Sequence, residues 1–165
     1  MRITLSFRDA FYAGIAIAII ASGFCIWLWQ PERQVDRHSE HLFRQVEARD
    51  WRGLEDSLAG DYLDQWGQDR ALVISRLQEI FRFLRGAKIE ASDSIVQANR
   101  SRGTWRGKIR INGNGDEAIV FIRERLNSLN TPFELEWRRV STKPWDWKLA
   151  RVSNPALEIP EGGDL

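Results

Sequence analysis

The sequence predicts an α+β domain carried behind one N-terminal membrane helix. Three observations predict it. Ala10 to Trp29 is an uncharged, largely apolar run of twenty residues. Apolar residues then recur at helical spacing as far as Arg85. Beyond Gly86 the period falls to two, with one apolar and one charged face per segment, as in an antiparallel sheet packed on one side. Helices followed by strands read as α+β.

At helical rise the N-terminal run spans about 30 Å, the thickness of a bilayer's hydrocarbon core. Phe11 and Tyr12 at one end and Trp27 and Trp29 at the other suit the two membrane interfaces. A cleaved signal peptide, cut after the small residues Ala21-Ser22-Gly23, is the weaker reading, because Phe24 to Trp29 stays apolar past that site. Lipidation at Cys25 is excluded by the bulky Phe24 before it, which leaves this lone cysteine as an apolar filler unable to form an intrachain disulfide. Ala10, Gly14, Ala18 and Ser22 form a small-residue stripe at i+4 spacing, a surface on which two such helices can self-associate. Arginines flank both sides of the span. The expected orientation, with the domain on the non-cytoplasmic side of the cell membrane, therefore rests on an N-terminal anchor acting as an uncleaved signal.

This gives an N-terminal flank over 1–9, a membrane helix over 10–29, a linker over 30–32, a domain over 33–158 and a tail over 159–165. The short linker holds the domain near the bilayer. Val35, Leu42, Phe43 and Val46 predict a helix from about Pro31 to Arg49. Trp51, Leu54 and Leu58 predict a short second helix ending near Gly60. Asp69 is a candidate N-cap for a third helix reaching Arg85, with Val73, Leu77, Ile80, Phe81 and Leu84 on its inner face. Ile89, Ala91 and Ile95 to Ala98 predict a strand with an irregularity near Asp93. Trp105, Ile109 and Ile111 mark a second strand, and Asn112-Gly113-Asn114-Gly115 a turn. Residues 116–129 fit a helix capped by Asp116, or a strand. Phe133, Leu135 and Trp137 mark the next strand, and Trp145, Trp147 and Leu149 the last, with Thr142-Lys143-Pro144 turning between them.

Asp50-Trp51, Leu54, Leu58 and Asp61-Tyr62 resemble the junction of the first two helices in the nuclear transport factor 2-like superfamily, whose sheet wraps helices into a cystatin-like cone. The order of elements is similar over residues 33–153. Thr131-Pro132-Phe133 and Lys143 to Leu149 look like segments of uncharacterised membrane-anchored bacterial proteins of this type. The resemblance implies the fold and a pocket; the superfamily's isomerases, cyclases, dehydratases and binding modules share one scaffold, so it implies no single function.

The isomerase-like members place an acid/base carboxylate and a hydrogen-bonding tyrosine in an apolar pocket, chemistry that needs a shifted carboxyl pKa. Tyr62 is the domain's one tyrosine, and Asp64 and Asp93 are carboxylates within reach of a pocket. Trp66 joins the pocket candidates. Trp105, Trp137, Trp145 and Trp147 fall on predicted inward strand faces, where filling the core outweighs lining a cavity. No residue is assigned as catalytic, and neither a metal nor a cofactor is implied. His38 and His41 share a helix face without a third ligand nearby and read as exposed surface histidines.

Arg2, Arg8 and Asp9 are the only charges before the linker, so the remainder is electrically balanced and gives no reason to bind nucleic acid. Arg106, Lys108 and Arg110 alternate with Trp105 and Ile109 and read first as a ladder facing Glu134 and Glu136, then as a contact for anionic lipid. The expected function is a membrane-tethered, non-enzymatic interaction or ligand-binding module. Its partners would be the lipid bilayer and a protein or apolar small ligand, with homo-oligomers forming through the membrane helix or the sheet. The alternative is a small membrane-anchored isomerase-, cyclase- or dehydratase-type enzyme using the cone pocket.

Overall fold

Why the helices form where they do is visible at their caps. A computed structural model describes residues 7–157, less the side chains of 7–10, 25–28 and 118. Helix α1 (Phe7–Leu28) runs unbroken to Leu28, one residue short of the predicted end of the span at Trp29. Among the described residues no helix is long and apolar enough to cross a membrane. Cys25, Trp27 and Ala10 fall, as side chains, outside the described residues. Within the small-residue stripe, Gly14 faces open space, and Ser22 Oγ donates to Ala18 O at 2.7 Å.

Pro31 opens α2 (Pro31–Ala48), where its fixed φ and missing N–H cost nothing, and Arg49 closes it in the left-handed region. Asp50 caps α3 (Trp51–Ser57) by accepting from Gly53 N at 3.0 Å. Asp69 caps α4 (Arg70–Phe83) by accepting from Leu72 N at 2.9 Å. The strands β1 (Arg85–Ala98), β2 (Arg102–Asn114), β3 (Phe133–Arg139) and β4 (Trp147–Ser153) follow, with α5 (Glu117–Asn127) between β2 and β3. They form one antiparallel sheet in the order β1-β2-β3-β4. A bulge between Ser92 and Ile95 interrupts β1, with Asp93 at φ 54°, matching the expected irregularity.

Helix α2 lies on the inner face of the sheet and buries Val35, Ser39, Leu42 and Val46. Gly103 of β2 permits this closeness, because a Cβ there would sit 2.3 Å from Val35 Cγ2. Trp105 meets Phe43 edge-on at 5.3 Å, and Trp137 meets His38 at 5.7 Å. Leu135, Trp147 and Leu149 complete the buried sheet face. On the outer face Arg106 pairs with Glu134 at 2.6 Å, and Lys108 with Asp93 at 3.3 Å.

Four expectations need correcting. Trp145 is not an inward strand residue: it lies in the turn before β4, is 54% exposed, and the strand's alternation cannot be extended past its first residue. The turn expected at 112–115 is strand as far as Asn114, because Asn112 and Asn114 still pair with Lys88 and Arg85. His38 is not an exposed histidine: it is half-buried against Trp137, with Nδ1 2.7 Å from Gln34 O, and burial lowers its pKa. Ile74, absent from the predicted inner face of α4, is buried with Phe81. Residues 116–129 resolve as helix, with Asp116 Oδ1 accepting from Ile119 N at 3.0 Å.

Candidate functional site

The segment joining α3 to α4 is pulled along the free edge of β4. Ala59 N donates to Leu149 O at 2.8 Å, Leu63 N to Ala150 O at 3.2 Å and Gln65 N to Val152 O at 3.1 Å. This edge pairing turns Tyr62 inward, where it is 3% exposed. Asp64 then folds the following residues over itself, its Oδ1 accepting from Trp66 N at 2.9 Å and Gln68 N at 2.8 Å. The Trp66 ring is pinned by Nε1 donating to Leu157 O at 2.7 Å. Buried Asn154 locks the base of this corner, exchanging bonds with the Gln65 amide and with Thr131.

Helix α5 is held against the part of the β2 edge that β3 leaves uncovered. Arg123 Nη1 donates to Gly113 O at 2.5 Å. The Asn127 amide donates to Ile111 O and accepts from Ile111 N, both at 2.8 Å, imitating a strand partner.

Between these pieces lies a cavity of about 340 Å³, enough for about eleven waters at liquid density. One wall is the α4 row Val73, Arg76, Leu77 and Ile80, spaced i, i+3, i+4 and i+7. Facing it is the α5 row Phe121, Ile122, Arg125 and Leu126. Tyr62, Asp64, Trp66 and Gln68 form the floor, with Val152 and Leu157 at the side. The lining is mainly apolar. Phe121, 65% exposed, stands at the rim.

Two groups in the floor are electrically unusual. Burial, with the Asp64 charge second, pushes the Tyr62 hydroxyl far above the ordinary tyrosine range, so it stays a neutral donor. Desolvation raises Asp64, opposed by the two backbone donors at Gln68 and Trp66 and by the Arg151 charge. Opposite them the buried Nε of Arg76 has no hydrogen-bond partner. Among the described residues, no group of three or more histidine, cysteine, aspartate and glutamate side chains is placed to hold a metal ion.

Of the residues singled out in the sequence, Tyr62 and Trp66 line this cavity. Trp105, Trp137 and Trp147 do not; they are buried in the core between α2 and the sheet. Asp93 is also remote from it, its side chain 72% exposed beside Lys108 at the β1 bulge. Asp64 does reach the cavity. Arg76, Gln68, Phe121 and Arg125 went unnoticed in the sequence, where nothing distinguishes them from the polar and exposed positions of ordinary amphipathic helices and turns.

No protein-family model matches the sequence, and neither does any curated protein sequence. Solved structures do match in fold. A nuclear transport factor 2-like protein of unknown function from Pseudomonas putida superposes with a TM-score of 0.58 at 15% identity, covering 79% of this chain and 89% of its own. A protein described as a dehydratase of the same fold family, from Streptomyces avermitilis, gives 0.54 at 15%, covering 73% and 91%. Bd1075 of Bdellovibrio bacteriovorus gives 0.57 at 9%, covering 74% of this chain; the match spans only 40% of Bd1075. At these identities the likeness is one of fold: helices on a four-stranded antiparallel sheet, of nuclear transport factor 2-like type.

Proposed function

We propose that this nuclear transport factor 2-like fold serves as a binding module for an apolar small molecule, held at a membrane by α1. The observation that carries the reading is the cavity of about 340 Å³ between α4 and α5. Its size lies in the range of small-ligand sites, roughly 300–1,000 Å³, and its lining has the usual composition of such sites, apolar walls with a few polar groups. The core tryptophans leave it open, because they pack against α2 instead.

Tethering is supported by α1 itself. Every side chain from Phe11 to Phe24 is exposed, among them Ile15, Ile17, Ile19 and Ile20. Apolar side chains left off the globule in such density need another cover, and an apolar lipid phase would supply one. The bilayer is then the first partner, with the domain on the non-cytoplasmic side.

A second reading, a membrane-anchored acid/base enzyme of isomerase, cyclase or dehydratase type, is favoured by one observation. Tyr62 and an aspartate with a raised pKa share the apolar cavity. Binding is preferred because Asp64 Oδ1 already serves the turn, accepting from two backbone N–H groups. That role explains the carboxylate without chemistry.

The test is calorimetric titration of the full chain, held in amphipol, with neutral 2-naphthol. Wild type should bind, and Leu77→Trp, which places an indole in the cavity, should abolish binding. Leu72→Ala, outside the cavity, should leave it unchanged. Indifference to Leu77→Trp would remove the cavity from the function. Should turnover of a bound compound be found and be lost in both Tyr62→Phe and Asp64→Asn, the enzyme reading would replace this one.

A further inference from the structure

We infer that the cavity's ligand is an amphiphile with an apolar body and an anionic head, a carboxylate being the type case, seated against Arg76. The inference rests on the reading that the cavity binds an apolar molecule, and adds the class of its polar end.

The reasoning starts from Arg76. It sits on the cavity row of α4 between Val73 and Leu77, so its stem runs along an apolar wall. Its Nε is fully covered and donates to nothing. Leaving a partly buried guanidinium without a counter-charge is costly. Arg70 has a covered, unpartnered Nε as well, but its guanidinium pairs through Nη2 with Glu55 at 3.5 Å. Among the described residues Arg76 makes no ion pair.

The other cavity charges do not answer it. The carboxylate in the floor, Asp64, is occupied by Trp66 and Gln68 N–H groups, and its charged neighbour is Arg151. The remaining charge, Arg125 on α5, is a second cation. The cavity thus holds two guanidinium groups, one carboxylate already engaged, and walls made of Val, Leu, Ile and Phe side chains. A neutral apolar ligand would leave both guanidinium groups without a counter-charge. An anionic head would supply one to the Arg76 guanidinium, whose planar fork suits carboxylates. Arg125, exposed on α5, adds a longer-range, salt-screened attraction.

The experiment compares two probes of one shape, 2-naphthoate and 2-naphthamide, titrated calorimetrically into the full chain in amphipol. Wild type should bind the acid at least tenfold more tightly than the amide. Arg76→Met should erase that ratio while leaving the amide's Kd unchanged, and Arg76→Lys should retain part of it. Arg125→Gln should lower the ratio only at low salt. In wild type alone, the ratio should fall to one once the pH drops below the naphthoic acid's own pKa, a check that needs no variant to fold. Equal affinity of acid and amide in wild type, or a ratio that survives Arg76→Met, would overturn the anionic-head assignment and leave the cavity reading standing. Failure of both probes to bind would overturn the cavity reading and this one with it.

Discussion

Helix α2 packs tightly against the sheet at Gly103, and this makes a quantitative prediction. A Cβ at this position would lie 2.3 Å from Val35 Cγ2 and 3.1 Å from Ala98 Cβ. Carbons pack at about 3.5–4.0 Å, so Gly103→Ala creates an overlap of roughly 1.2 Å or more with Val35. Val35 is fully buried, and a β-branched side chain in a helix has essentially one χ1 well, so it cannot swing aside. The helix must lift, at about 1–3 kcal/mol. Replacing glycine also reduces the unfolded chain's freedom, which returns about 0.4–1 kcal/mol. The net expectation is a loss of about 1–2 kcal/mol, or roughly 2–8 °C in Tm for a domain of this size. Val35→Ala alone should cost about 2 kcal/mol through lost burial and a small cavity. In the double variant the new methyl occupies the vacated space, so the two losses should fall short of their sum by about 1–2 kcal/mol. Urea unfolding of the full chain in detergent, followed by tryptophan fluorescence, measures all four corners. A neutral Gly103→Ala, or losses that simply add, would refute the claim that α2 is seated on this glycine.

Two further outcomes are expected. Asp64 has a folded pKa raised above its unfolded value. The native state therefore binds the proton more tightly, and this group's contribution to stability is lost as pH rises through the folded pKa. Asp64→Asn keeps the acceptor for Trp66 and Gln68 without the buried charge. It should gain stability over wild type as pH rises from the unfolded carboxylate range through the folded pKa, with the difference constant above that; a flat difference across a pH series of unfolding curves would contradict the raised pKa. For α1, the full chain should remain with membranes through alkaline carbonate extraction, and a chain lacking residues 1–29 should leave them; release of the full chain by carbonate would remove the tether.

How much was legible without coordinates depends on the range of the interaction involved. Asp69 and Asp116 cap helices within three residues of themselves, so those two starts were read locally, whereas the like cap at Asp50 was not singled out. The alternation of Trp105, Ile109 and Ile111, or of Leu135 and Trp137, records a sheet with one buried face, and the cross-strand pair of Arg106 with Glu134 follows from it. Trp145 escaped because alternation holds only inside a strand, and the chain turns before Trp147.

The cavity was not legible in that way. Its walls come from 62–68, 73–80, 121–126, Val152 and Leu157, and each piece by itself is an ordinary amphipathic helix face, turn or strand end. The sequence determined the helices, the strands and the order in which they come, because those depend on neighbours within a few residues. Only the tertiary structure decided that Arg76 faces a cavity, that Tyr62 and Asp64 share its floor, and that three tryptophans fill the core. Those facts depend on where α5 docks along an uncovered strand edge and on how the 58–69 segment pairs with β4, contacts that join residues as far as ninety positions apart.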